Sequence, residues 1–251
     1  MNFIKPEDVV WKEVKYLRQG ETRDYDYTFL LPVPLADWDV FDYWERERIE
    51  SMRTHLKQGD VLFDIGTEQG WCNLAYAQMV GPRNIVLIEP TPEFWGNIYR
   101  TWVKNIGGDK PPLALYDGLF SDKTTDKRDI KYISEHWNDE ALGDLVDRNS
   151  YRYIHEHGDT VPQITLDDYV SETGIVPDAL TMDTEGSELL ILRGAEKTLT
   201  KHHPKLWVSI HPELGERDYG IKKEDTIGFL ESLGYTGEHL ATDHEEHWYF
   251  K

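Results

Sequence analysis

Acidic side chains and one histidine follow apolar runs at several points along the chain. Asp64 lies at the end of the first such run, Glu89 follows the next, Asp183 ends a third and His211 follows a fourth. The carboxyl ends of parallel strands meet at one edge of an open α/β sheet, where ligands bind, so these side chains are expected to share a site. Carboxylates there accept hydrogen bonds from a ligand, and a histidine exchanges a proton near neutral pH.

The first run ends in the pattern Asp-x-Gly-x-x-x-Gly, with glycines at Gly66 and Gly70. An apolar run that stops at such a turn indicates a buried strand, a tight turn and then a helix. Neither glycine carries a Cβ, so the backbone can turn sharply and approach a ligand closely. The pattern alone predicts a site for an adenosine-containing cofactor.

Glu68, inside this turn, discriminates between cofactors. A dinucleotide fingerprint needs a glycine at this position so that the backbone can approach a pyrophosphate. Here a carboxylate occupies it and would repel phosphate, and the lysine of a Walker motif is absent. S-adenosylmethionine carries a sulfonium and an ammonium group and no phosphate, so it suits an acidic turn. Glu89 could accept both ribose hydroxyls, but dinucleotide enzymes use an acid in the same way, so Glu89 does not discriminate by itself.

Several segments of the chain together resemble the FkbM-type S-adenosylmethionine-dependent methyltransferases. They are residues 64–70, 88–94, 163–169 and 182–188, the last followed by Leu192-Arg-Gly-Ala195. The Asp-x-Glu-Gly-x-Glu segment with Leu-x-Gly-Ala behind it is the specific part. The resemblance extends over residues 45–251 and implies a seven-stranded Rossmann-like methyltransferase fold, with S-adenosylmethionine as cofactor and hydroxyl groups of sugars or natural products as methyl acceptors.

The resemblance also bears on individual residues. Methyltransferase folds usually contact adenine just past the third strand of the sheet, which here is the strand predicted at 113–116, followed by Ser121-Asp122. Family members often have an acid two residues before the His-Pro that follows the strand predicted here at 205–210, where this chain has Ser209. The predicted cofactor-binding residues are Asp64, Gly66, Thr67, Glu68, Gly70, Glu89, Pro90, Ser121 and Asp122.

Asp183 and His211 are the predicted catalytic residues, because a hydroxyl acceptor gains from a general base or a metal ion. Asp183 could contact the acceptor or the cofactor, bind a divalent metal ion together with Glu185, or cap the helix that follows. His211 could act as the base, contact the acceptor, or be a structural histidine before Pro212. Glu213 could orient it.

The elements that must position these residues alternate between strands and helices. Strands are predicted at 25–31, 61–65, 84–88, 113–116, 179–183 and 205–210, with a terminal hairpin at 235–240 and 247–250. Helices are predicted at 41–57, 71–80, 92–105, 187–199 and 224–233. This order indicates an α/β fold with a doubly wound Rossmann-like sheet and an antiparallel C-terminal hairpin. Residues 1–45 are predicted to form an N-terminal cap on a methyltransferase domain at 46–251, with an acceptor-side insertion at 121–160 that holds a short helix near 140–146.

The composition restricts partners and compartment. The 251-residue chain has a formal net charge of −20, which disfavours nucleic acid and anionic membranes because both would be repelled. A small-molecule or glycan acceptor fits better.

The single cysteine, Cys72, excludes an internal disulfide. Cys72 is expected to pack in the core, although its position at the start of the helix predicted at 71–80 could lower the pKa of its thiol. With no signal-peptide pattern and no membrane-spanning apolar run, a cytoplasmic protein is predicted. The oligomeric state cannot be read from the sequence.

Two other functions stay open beside methyl transfer. The first is an NAD-dependent oxidoreductase on a similar sheet, against which Glu68 argues. The second is a non-catalytic, methyltransferase-like binding module, against which the complete set of strand-end acids argues.

Overall fold

The computed structural model describes residues 3–19, 24–33, 36, 45–125, 137, 145–146 and 161–251. The predicted insertion at 121–160, apart from 121–125, 137 and 145–146, lies outside the described residues, and so does most of the predicted helix near 140–146. The two described residues of that helix, Leu145 and Val146, instead form a strand that pairs with Phe3 and Ile4.

The described strands and helices follow the predicted alternation. The strands are β1 Phe3–Ile4, β2 Trp11–Gln19, β3 Asp24–Pro32, β4 Leu62–Ile65, β5 Ile85–Ile88, β6 Ala114–Tyr116, β7 Leu119–Phe120, β8 Leu145–Val146, β9 Gln163–Ile164, β10 Ala179–Asp183, β11 Lys205–Ile210, β12 Gly237–Thr242 and β13 Glu246–Phe250. The helices are α1 Arg46–His55, α2 Cys72–Val80, α3 Phe94–Asn105, α4 Leu166–Thr173, α5 Glu188–Arg193, α6 Glu196–His202, α7 Pro212–Leu214 and α8 Lys223–Ser232, with a π-helical turn at Gly215–Tyr219 after α7.

A seven-stranded sheet in the order β12-β13-β11-β10-β4-β5-β6 forms the centre of the fold. Strands β4, β5, β6, β10 and β11 run parallel to their neighbours in this set. Strand β13 is antiparallel to both β11 and β12, so the C-terminal hairpin closes one side of the sheet. The predicted fold class, a doubly wound sheet with an antiparallel C-terminal hairpin, is confirmed.

Successive residues of β4 enter opposite cores, because side chains alternate across a strand. Leu62 packs in a cluster with residues of α1, α2 and α3, whereas Phe63 and Ile65 pack in a cluster with residues of α4, α5, α6 and α8. Helices therefore cover both faces of the sheet. The hairpin β2–β3 joins the first cluster, and the side-chain amide of Asn105 on α3 exchanges hydrogen bonds of 2.7 and 2.8 Å with the backbone of Leu30.

The helix predicted at 187–199 is wrong as one element, since it is divided into α5 and α6. The break falls at Gly194, where a Cβ would lie 2.0 Å from the backbone oxygen of Ser121. Helix α6 begins two residues later, at Glu196. Asp167 of α4 stabilises its first turn by accepting hydrogen bonds from the backbone N–H groups of Lys197 and Thr198. Close approach of another backbone segment thus overrides the helical periodicity of the sequence.

Within the part of the chain that the structure describes, no helix combines the length and the apolar character that crossing a bilayer requires.

Candidate functional site

The candidate site lies at the sheet edge where β4, β5, β10 and β11 end. These strands are neighbours in the sheet, and their register sets Asp64 beside Thr181 and Asp183 beside Ser209. Glu89 directly follows β5, and His211 directly follows β11. The topology therefore brings the strand-end acids and the histidine to one edge of the molecule.

Asp64 holds the turn after β4 in place. Its side chain is buried, and its carboxylate accepts hydrogen bonds from the Asn73 amide and, at 3.1 Å, from the Thr67 hydroxyl. Burial raises the pKa of Asp64 to about 6, against the opposing effect of the Asn73 hydrogen bond and the Arg48 charge. Both of these donors contact Oδ2 of Asp64.

The two glycines of the turn are required by neighbouring protein atoms. Gly66 has a φ of 86°, and a Cβ there would lie 2.0 Å from the backbone oxygen of Asp183. Gly70 has a φ of 80°, and a Cβ there would lie 3.1 Å from the Cα of Ile98 on α3. Both positions favour a residue without a Cβ before any ligand is considered. The close approach of a cofactor to these glycines stays a prediction.

Glu89 is the acid that faces the turn from β5. Its Oε2 accepts the backbone N–H of Glu68 and its Oε1 accepts that of Thr91, both at 2.8 Å. Burial raises the pKa of Glu89 to about 7, although hydrogen bonds from Thr91 and Glu68 oppose the shift. The Thr91 side chain also donates to Glu89, and a carboxylate has about four lone-pair sites, so the carboxylate retains capacity for about one further donor.

His211 lies among acidic side chains. Its Nδ1 is 3.0 Å from Oε1 of Glu188, while its Nε2 is 2.5 Å from Oε2 of Glu245 and 3.5 Å from Oδ1 of Asp183. Oε2 of Glu185 is 4.0 Å from the same Nε2, and the Glu185 side chain is 55% exposed. The closest acids to this histidine are therefore Glu188 and Glu245.

This environment changes the role that His211 can play. Burial lowers the pKa of His211, but hydrogen bonding to Glu188 and Glu245 and the charge of Asp183 outweigh burial and raise it to about 12. The ring is therefore protonated at neutral pH. His211 is then a charged hydrogen-bond donor, and not the proton acceptor that its residue type suggests.

Glu213, the acid that the sequence suggested to orient His211, is not among the acids that the structure places beside it. Glu188, at the start of α5, is buried and also accepts the backbone N–H of Gly186 at 3.0 Å. Glu213 is exposed to solvent. Ser209, at the position where related sequences often have an acid, bonds instead to Nδ1 of His247 at 3.0 Å.

Sequence reasoning missed Glu245 as a contributor to the site. The segment His244–His247 does not have the spacing of a zinc motif, and it forms the tip of the C-terminal hairpin. Because β13 pairs with β11 and Glu246 faces Ile210, the preceding residue lies beside His211. Glu245 is 2% exposed, and burial together with the Asp183 charge raises its pKa.

Arg48 of α1 was also missed. It is 3% exposed, forms an ion pair with Glu45, and donates from Nη1 to the Thr181 hydroxyl at 3.1 Å. Burial lowers the pKa of Arg48, but the charges around it, including those of Asp183 and Glu245, outweigh burial and raise it above its usual value. The guanidinium is thus a buried positive charge beside the acids of the sheet edge.

Other predicted residues take less central positions. Ser121 is buried, and its backbone N–H donates to the oxygen of Ile164 at 3.1 Å, whereas Asp122 is exposed and Pro90 is half-buried. Burial raises the pKa of Cys72, so the lowered pKa considered from its helix-start position is wrong. The thiol packs against the core.

A separate depression of about 280 Å³ lies between β3 and the last turns of α1 and α2. It is lined by Tyr27, Arg53, Leu56, Gln78 and Met79. Helix α2 ends at the sheet edge opposite to the carboxyl ends of the strands, so this depression is not part of the candidate site.

The chain was compared with protein-family models, curated sequences and solved structures. The model of the methyltransferase FkbM domain matches residues 64–236. No curated protein sequence matches the chain. The solved structure of methyltransferase FkbM from Methylobacillus flagellatus KT is similar at 18% identity and a TM-score of 0.51, covering 78% of this chain and 44% of that one. The chain therefore spans less than half of that relative.

Two other solved structures show weaker similarity. Precorrin-6y C5,15-methyltransferase from Geobacter metallireducens GS-15 is 14% identical with a TM-score of 0.43, covering 82% of this chain and 86% of that one. Fibrillarin from Aeropyrum pernix, in complex with natively bound S-adenosyl-L-methionine, is 14% identical with a TM-score of 0.39, covering 77% of this chain and 66% of that one.

Proposed function

The chain belongs to the methyltransferase FkbM domain family, and from this we propose that it transfers the methyl group of S-adenosylmethionine to a hydroxyl group of a sugar, glycan or other small molecule. The observation that carries the cofactor assignment is the turn after β4, where Glu68 replaces the glycine of a pyrophosphate site and donates its backbone N–H to Glu89. With the donors of Thr91 counted as well, the Glu89 carboxylate retains capacity for a ribose hydroxyl.

In this proposal, residues at the ends of β4 and β5 would hold the cofactor. Glu89 binds the ribose, and the acidic turn faces the positively charged end of the molecule. Because Glu68 has a φ of 51°, its backbone is held in a left-handed conformation that fixes the turn. Ser121, Asp122 and Pro90 complete the cofactor site, with the first two on the adenine side.

The acceptor lies beside β10 and β11. Asp183 suits this role because its side chain is 27% exposed, unlike the buried Glu188 and Glu245. Bound S-adenosylmethionine would supply the activated methyl group and would leave as S-adenosylhomocysteine when the acceptor oxygen forms the ether, and Asp183 would take the hydroxyl proton. Protonated His211 positions Asp183 and donates hydrogen bonds. The enzyme acts mainly by orienting an already activated donor and excluding water.

The segments that choose the acceptor are proposed to be the N-terminal residues 1–45, as a cap on the domain at 46–251, and the segment at 121–160. The negative net charge of −20 argues against nucleic acid and anionic membranes as partners. The single cysteine fits a cytoplasmic location.

Calorimetric titration of the intact chain with S-adenosylmethionine, S-adenosylhomocysteine and NAD⁺ tests this function. We expect binding of the two sulfur compounds and none of NAD⁺. Binding of NAD⁺ alone would instead support an oxidoreductase. Cofactor binding without release of S-adenosylhomocysteine in the presence of a panel of sugars and hydroxylated small molecules would favour the non-catalytic module.

The affinity for S-adenosylmethionine is expected to fall below pH 7. The pKa of Glu89 is raised to about 7 in the free protein, so acidification protonates the group that accepts the ribose hydroxyls. A bound ligand that favours the ionised form loses about tenfold in affinity for each pH unit below the free pKa. Asp64, with a pKa of about 6, adds to the loss at lower pH.

Dissociation constants measured by calorimetry between pH 5.5 and 8.5 check this dependence. The variant Glu89→Gln has no proton to exchange at this position and is expected to show a flatter profile above pH 6.5. An equally steep profile in wild type and variant would contradict the assignment to Glu89.

A further inference from the structure

We propose that Asp183, His211 and Glu245 form a binding site for one divalent cation of the Mn²⁺ or Zn²⁺ class. Each residue offers a ligand atom, and the three atoms lie within 4.8 Å of one another. Nε2 of His211 is 2.5 Å from Glu245 and 3.5 Å from Asp183. Neighbouring ligands on an ion with bonds of about 2.1 Å are about 3.0 to 3.4 Å apart, so small adjustments suffice to place an ion between these atoms.

The Glu245 carboxylate supplies the second, independent observation. Its side chain is 1% exposed, yet among the described residues its Oε1 has no hydrogen-bond partner, since Nε2 of His247 is 3.6 Å away. A buried carboxylate normally has its oxygens satisfied by donors or by a metal ion, because desolvation is costly otherwise. Oε2 of Glu245 is 2.5 Å from Nε2 of His211 and forms an ion pair with the protonated ring. A divalent cation between Glu245 and His211 binds a carboxylate oxygen of the first and Nε2 of the second.

Glu188 orients the His211 ring for metal binding. Oε1 of Glu188 lies 3.0 Å from Nδ1 of His211 and is itself fixed by the backbone N–H of Gly186. A carboxylate on one ring nitrogen sets the tautomer and orients the other nitrogen as a ligand, as in carboxylate–histidine–metal sites. The lone pair of Nε2 then faces Asp183 and Glu245. In the metal-free protein a proton occupies this place on Nε2.

The donor set defines the class of ion. One imidazole nitrogen with two carboxylates suits Mn²⁺ or Zn²⁺ better than Ca²⁺, which prefers ligand sets made of oxygen only. Asp183 is the most exposed of the three ligands and marks the side from which the ion and an acceptor oxygen enter. An ion there lowers the pKa of a coordinated hydroxyl. That catalytic role rests on the proposed function, whereas cation binding itself does not.

A second group of potential ligands shares Glu245, since Asp243, His244 and Glu245 also lie close together. Asp243 and His244 are exposed, with side-chain exposures of 37% and 51%. Variants at Asp183 and His244 therefore separate the two groups, because each belongs to only one of them. Both residues are exposed enough for their substitution to leave the fold intact.

The test is titration of the intact metal-free chain with MnCl₂ at pH 7.5 and 150 mM NaCl, followed by calorimetry and by the loss of the free Mn²⁺ electron paramagnetic resonance signal. Wild type is expected to bind one equivalent. Asp183→Asn is expected to weaken binding at least tenfold, and His244→Gln to change it by less than twofold. Circular dichroism melting curves of both variants verify that each is folded.

Three outcomes overturn the proposal: no binding by wild type at 1 mM Mn²⁺, undiminished binding by folded Asp183→Asn, or loss of binding in His244→Gln alone. S-adenosylmethionine binding is measured on the same preparation without metal. Loss of cation binding with intact cofactor binding therefore removes this inference alone, and the converse removes the proposed function alone.

Discussion

The variant Glu89→Ala is expected to bind S-adenosylmethionine about 30- to 1,000-fold more weakly than wild type, from the loss of about 2 to 4 kcal/mol in hydrogen bonds to a charged acceptor. Two effects combine. The ribose loses its acceptor, and the backbone N–H groups of Glu68 and Thr91 lose the partner that holds the turn, 2.8 Å away in each case. The dissociation constant from calorimetry at pH 8 measures the change.

A control must separate the loss of this carboxylate from the loss of one negative charge. Glu238→Ala removes the same charge from an exposed position on β12 of the same sheet, and its affinity for the cofactor is expected to stay within twofold of wild type. Affinity of Glu89→Ala within threefold of wild type would show that the turn binds no ribose at this acid.

The parts of this fold that could be predicted from sequence are those fixed by local pattern. The apolar runs that became β4, β5, β10 and β11 specified buried parallel strands, and parallel neighbours necessarily end at one edge. Asp64, Glu89 and Asp183 could therefore be placed together without knowledge of any contact. The division of residues 187–199 into two helices could not be predicted from the sequence, because it depends on the close approach of the Ser121 backbone to Gly194.

The residues that were missed owe their roles to distant parts of the chain. Glu245 reaches His211 only because β13 folds back antiparallel on β11, and the hairpin was predicted without its partner strand. Arg48 reaches the sheet edge from α1. A local signal existed, since Glu45, Arg48 and Met52 are spaced by three and four residues on one helix face. The spacing sets this opposite-charge pair in line with apolar Met52, and the structure shows both the ion pair and the burial.

The largest effect on stability is expected for Arg48→Met, which should lower the free energy of unfolding by about 3 to 5 kcal/mol, because removal of one partner of a buried ion pair leaves the other charge without compensation. Glu45 is 5% exposed and loses its partner. The acids Asp183 and Glu245 also lose a nearby positive charge. Urea unfolding followed by circular dichroism measures the change, with the slope of the transition unchanged.

Arg46 offers a matched control on the same helix. It pairs with Glu50 at 3.0 Å, but the two side chains are 37% and 40% exposed. Arg46→Met should therefore cost no more than about 0.5 kcal/mol. The double variant Arg48→Met/Glu45→Gln should regain part of the loss, since the stranded carboxylate is neutralised. A cost below about 1 kcal/mol for Arg48→Met, near that of an exposed pair, would mean that the acids of the sheet edge do not depend on this guanidinium, and that another positive charge balances them.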